Sequence, residues 1–108
     1  MPREERQIIF THAEVYEALM EFSRQLDGSA LPEGRITAVR KSDAVAGELV
    51  VTLALAPSHE EHEYTYAEGY VAASLMLFCM SRGIPLPKAA RKSILSDGDE
   101  LILRANSH

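Results

Sequence analysis

Hydrophobic and polar residues alternate along this chain with two different periods, and the changes of period mark out its elements. Arg6 to Phe10 reads as a short strand running into Thr11. Thr11-His12-Ala13-Glu14 has the form of a capping box: the threonine hydroxyl accepts from a free helix N–H, and the glutamate reaches back to the N-cap amide. Phe10 and Val15 stand where a hydrophobic staple would place them. The helix that follows puts Val15, Ala18, Leu19, Phe22 and Leu26 on one face, with Glu14, Glu17, Glu21, Arg24 and Gln25 mostly on the other. Gly28 is suited to end it, and Pro32 opposes continuation.

Arg35 to Lys41 and Glu48 to Ala56 read as two strands of a hairpin, joined through Asp43 and Gly47 as turn residues. The run from Leu49 is almost continuously β-prone, which predicts a central strand covered on both faces. Pro57 to Glu63 is polar and acidic, a loop passing into a short strand at His62 to Tyr64. Thr65-Tyr66-Ala67-Glu68 repeats the capping-box pattern and opens a second helix, over 66–82, closed by Gly83. This helix has almost no polar face: Tyr70 to Ala73 and Leu75 to Met80 are all apolar or aromatic. Such a helix is buried on every side. It is too short, and too quickly bounded by Glu68 and Arg82, to span a membrane. Burial deep in the fold, or between a sheet and a second subunit, remains. A small domain has little material to surround a helix, so the expectation is a homo-oligomer, a dimer, with Tyr70, Leu75, Leu77 and Phe78 at the contact.

Gly83-Ile84-Pro85-Leu86-Pro87 is extended, because each proline fixes φ and restrains its predecessor. Pro87 is placed to open one helical turn over Lys88 to Arg91. Lys92 to Ser96 and Asp99 to Arg104 flank Asp97-Gly98 as a hairpin with Ile94 opposite Leu101. Phe10 to Ala18 also matches Tyr64 to Ala72 without a gap in Thr, Ala, Glu, Tyr and Ala, and each helix is followed by a Gly, a Pro-containing connection and a hairpin. The predicted fold is therefore α+β. Two βαββ-like halves, 6–56 and 62–105, form one domain with a mixed, mostly antiparallel sheet and two helices on one face.

Composition narrows the class without naming an activity. The chain has 108 residues, 46% hydrophobic and 25% charged, which suits one globular domain. A net charge of −5 opposes general attraction to nucleic acid and anionic membranes. With one cysteine, Cys79, there is neither an internal disulfide nor a multi-cysteine zinc site. The charged start, Met1 to Arg6, lacks the apolar stretch of a secretory signal, and the expected location is the cytoplasm.

Candidate chemistry is sparse. His59-Glu60-Glu61-His62 spaces its histidines three apart in a loop, where a helical zinc motif needs four, and lacks a third ligand, so no metal or other cofactor is expected. Cys79, among Leu77, Phe78 and Met80, reads as a buried thiol. Pro2 and the strand–helix–strand order of the first half resemble the tautomerases, whose N-terminal proline amine is a general base. That resemblance implies a small enzyme working through Pro2, but Arg3 to Arg6 intervene before the first strand and would leave the amine solvated. Arg82, Lys88, Arg91 and Lys92 occur with no acid between them, a basic cluster suited to a small anion or an acidic protein. The segment Phe78-Cys79, Gly83-Ile84-Pro85-Leu86-Pro87, Ala90 and Lys92 resembles one found in small uncharacterised bacterial proteins; it implies a fixed connection and no activity. Together these residues predict a non-catalytic binding or assembly module that self-associates through helix 66–82.

Overall fold

The computed structural model of the protein describes residues 5–26, 28, 31–86, 91–97 and 100–106. Along the chain it forms β1 (Glu5–Thr11), α1 (His12–Leu26), β2 (Gly34–Lys41), β3 (Glu48–Leu55), β4 (Glu61–Ala67), α2 (Glu68–Ser81), β5 (Arg91–Asp97) and β6 (Glu100–Asn106). The class is α+β, in the expected βαββ order taken twice. The strands divide into two three-stranded sheets, β1-β6-β5 and β2-β3-β4, where a single sheet was expected. Every pairing within them is antiparallel. Each half lends its first strand to the hairpin of the other: β1 joins β5 and β6, and β4 joins β2 and β3.

One core serves both sheets and both helices. Ile8, Leu103 and Ile94 lie in register across the first sheet, beside Phe10 opposite Leu101. Val39, Val51 and Tyr64 do the same across the second, beside Leu49 opposite Tyr66. Leu19, Val15, Leu75 and Val71 close over these rows from the helices, all fully buried. β3 is covered on both faces, as its sequence predicts, but the second cover is not another layer of structure. Val50 and Ala54 are shielded by neighbouring polar side chains: Arg40 pairs with Glu63 at 3.3 Å, and Thr37 donates to Glu61 at 3.0 Å. Gly34 is required where β2 begins, because a Cβ there would collide with the Ala54 carbonyl.

The first capping box forms as read. Glu14 N–H donates to the Thr11 hydroxyl at 3.2 Å, and Thr11 N–H donates to the Glu14 carboxylate at 2.9 Å. The second does not. Thr65 and Tyr66 belong to β4, opposite Val50 and Leu49, and α2 starts from Ala67 without a side-chain cap. Its Glu68 N–H donates to the Gly47 carbonyl instead, and the Glu68 carboxylate accepts from Ile94 N–H at 3.2 Å, tying the helix start to β5. At its far end α2 closes with a Schellman arrangement: Ile84 N–H reaches Cys79 O, Gly83 N–H reaches Met80 O, and Gly83 takes φ 71°.

Other expectations shift by a few residues for physical reasons. β4 spans seven residues: Tyr64 and Tyr66 are turned inward and partly buried, Glu63 and Thr65 beside them are exposed, and the polar run Glu61-His62-Glu63 masks the start of the strand in the sequence. The β2–β3 turn is organised by Ser42, whose hydroxyl accepts from the N–H groups of Ala44 and Val45 at 3.2 Å each, rather than by Asp43. Asp97 pairs with Glu100, so Ile94 faces Leu103 instead of Leu101; a slip of two preserves the inward face. Arg91 starts β5 and does not end a helical turn, while Pro87 to Ala90 lie outside the described residues.

The correspondence between the halves is closer in structure than in sequence. Each residue of β1 matches the one 56 places later in β4, Glu5 to Glu61 and Thr11 to Ala67, not 54 as the sequence match implies. The same spacing carries the buried positions of α1 (Val15, Ala18, Leu19, Ser23) onto Val71, Ser74, Leu75 and Cys79 of α2. A shift of two leaves strand faces unchanged but turns a helix by more than half a revolution. That is why the sequence match could not be extended through the helices.

Candidate functional site

The two helices run antiparallel, with Ser23 beside Tyr70 at one end of the contact and Glu17 beside Arg82 at the other. Ala18 and Ser74, small and buried, let them approach closely. Beside these two residues a cavity of about 270 Å³ is lined by both helices. Ala18, Glu21, Phe22 and Gln25 line one wall at helical spacing; Ser74, Leu77, Phe78 and Ser81 line the other from equivalent positions, and Met80 stands at the mouth. Met80 is 68% exposed and Leu77 39%.

Side chains around the groove are held in place. Phe22 meets the Tyr70 ring edge-on at 4.9 Å, and Tyr70 stacks on Tyr66 at 5.3 Å. The Tyr70 hydroxyl shares a 2.8 Å hydrogen bond with buried Ser23. Burial, reinforced by the neighbouring Tyr70 and Tyr64, pushes the Tyr66 hydroxyl up to about 12. The Ser74 and Ser81 hydroxyls donate to the Tyr70 and Phe78 carbonyls, both at 2.8 Å, so neither is prepared as a nucleophile. Histidine, lysine and cysteine are missing from the lining. The lining sets Ala18, Phe22, Leu77, Phe78 and Met80 beside the polar Glu21, Gln25, Ser74 and Ser81.

Arg82 is fixed across one end. Its guanidinium lies 4.1 Å from the Phe78 ring centroid and pairs with Glu17 and, at 3.4 Å, with Glu21. It therefore stitches the end of α2 to α1. Lys88 and the side chains of Arg91 and Lys92 lie outside the described residues. Pro2 also falls outside the described residues.

The four residues expected at a subunit contact lie at different depths. Leu75 is fully buried and Phe78 is 4% exposed, both in the chain's own core, so neither offers a surface to a neighbour. Tyr70 is half-buried against Phe22 and Tyr66, and Leu77 alone of the four is exposed. The chain surrounds α2 more fully than its length suggested, because both sheets and α1 contribute. Met80 went unremarked as a surface residue: on an all-apolar helix, periodicity cannot say which side faces out. Leu26, expected in the core, is 61% exposed, and Ser23 occupies the buried position.

Among the described residues, no group of three or more His, Cys, Asp or Glu is placed to hold a metal ion, and no helix is long and apolar enough to cross a membrane. His59 and His62 are exposed, with His62 3.8 Å from Glu60. Compared with known proteins, the chain matches no family model, no curated protein and no solved structure.

Proposed function

We propose that this protein is a non-catalytic binding module whose groove between α1 and α2 receives an amphipathic helix of a partner protein. One observation carries the reading: at matching places of two equivalent helices, α1 turns Glu21 and Arg24 outward while α2 turns Leu77 and Met80. The fold accepts charge there, so its stability does not ask for the apolar pair.

A space of about 270 Å³ accommodates one or two apolar side chains of a docked helix. Met80, flexible and polarizable at the mouth, suits such an adaptable contact. The chain as a whole is acidic, so lysine or arginine beside the partner's apolar residues gives complementary charge.

A synthetic helix with leucines at i, i+3 and i+7 and lysines elsewhere is the probe. Binding followed by fluorescence anisotropy is expected to weaken about tenfold or more in Leu77→Glu with Met80→Glu. The same peptide with glutamates in place of lysines should bind less well. Equal binding of both peptides, or no loss in the double variant, would defeat the reading.

A further inference from the structure

We propose that the protein also pairs with a second copy of itself along β1, extending the β1-β6-β5 sheet across a two-fold axis. This surface is separate from the helical groove, and the inference does not depend on it. Among the described residues, β1 and β4 each pair with a neighbour on one side only, whereas β2 and β5, at the other ends of their sheets, approach each other. The two outer edges occupy equivalent places but differ in chemistry. β4 turns Glu61, Glu63 and Thr65 away from the core, with exposed His62 between them, and two such edges side by side would bring like charges together. From Gln7 to Thr11, β1 carries no charged residue.

The outward face beside each edge differs in the same sense. Ile9, Ile102 and Leu95 form one apolar row across the first sheet, with Ile9 53% exposed. The matching row of the second sheet is Thr65, Val50 and Arg40. The architecture thus admits polar residues at both ends of this row, yet the first sheet places isoleucine and leucine there.

An antiparallel edge strand can be its own complement, which favours a second copy as the occupant. Centring the two-fold axis on Ile9 sets Ile9 opposite its twin and Gln7 opposite Thr11, and joins the two apolar rows end to end. Net charge of −5 on each copy opposes association elsewhere, but the charge-free stretch from Gln7 to Thr11 lets the chains approach.

Sedimentation of the full chain at high micromolar concentration is expected to show a dimer. Ile9→Lys should make it monomeric while circular dichroism and melting temperature stay near those of the parent, since lysine is well tolerated on an exposed edge. Thr65→Lys, at the equivalent place on β4, should leave the dimer intact. Register is tested by oxidation. Ile9→Cys is expected to give a disulfide-linked dimer, because facing Cα atoms stand about 4.5–5.5 Å apart. Gln7→Cys should not, since two copies of that position would be about 13 Å apart. Fully buried Cys79 does not compete. A monomeric parent, a dimer that survives Ile9→Lys, or equal cross-linking by both cysteine variants overturns the proposal. So does a dimer dissolved by Leu77→Glu instead.

Discussion

α1 and α2 occupy matching places and bury matching positions, yet they present opposite surfaces. On α1 the residues outside the core include Glu17, Glu21 and Arg24; 56 places later stand Ala73, Leu77 and Met80. Equal packing with unequal exposure separates two causes that are normally confounded. Residues shared by both helices are those the fold needs, while residues that differ are free to serve another purpose. The groove between the helices is built from both kinds: small, shared residues at its floor and divergent ones at its rim.

The comparison is most exposed at its shared residues. Leu19→Ala and Leu75→Ala should each lower unfolding free energy by about 2–5 kcal/mol, and by similar amounts, in urea denaturation. A cost much larger for one than the other would show that the two helices are not equivalent supports. Helix starts come next. Thr11→Ala removes a cap that is made and should cost about 1 kcal/mol. Ala67→Ser supplies one at the matching, extended N-cap position and should raise the melting temperature, whereas a loss there would mean the strand-to-helix junction has no room for a cap.

Phe10 and Tyr66 give the smallest test. They are matching inward residues facing Leu101 and Leu49, and only the tyrosine can ionise. Its hydroxyl ordinarily titrates near 10 and is raised to about 12 in the folded protein. The folded state therefore holds this proton more tightly than the unfolded state does. The resulting stability is fully present below pH 10 and is lost as pH rises toward 12. Solvent screening at this partly exposed ring keeps the effect below about 1 kcal/mol. Tyr66→Phe should flatten the stability profile over that interval, and an unchanged slope would assign it to other groups.

Much of the fold was legible because hydrophobic period and turn chemistry agree locally. β1, α1 with its cap, and the β2–β3 hairpin follow directly from residues near in sequence. The second capping box misled because Thr65 and Glu68 have the correct spacing but compete with β3 for the same backbone; seven residues of strand pairing outweigh one cap. The helix that followed was recognisable as buried, but its outward side was not. That depends on how two sheets and α1 wrap around it, and no local pattern encodes such an arrangement. Arg82 shows the same limit from the other direction. Its basic neighbours are close in sequence, whereas the Glu17 and Glu21 carboxylates that it meets are more than sixty residues away in the chain.

The exchange of first strands between the halves has a consequence for how the chain holds together. Severed between Pro57 and Glu60, neither piece would contain a complete sheet: one would keep β2 and β3 without β4, the other β5 and β6 without β1. Reassembly would then be an encounter between two molecules, governed by their abundance. The short connection from β3 to β4 converts that encounter into an event within one molecule, with an effective concentration in the millimolar range or above. A few solvent-exposed residues that contribute nothing to the core thus make the integrity of the fold indifferent to dilution.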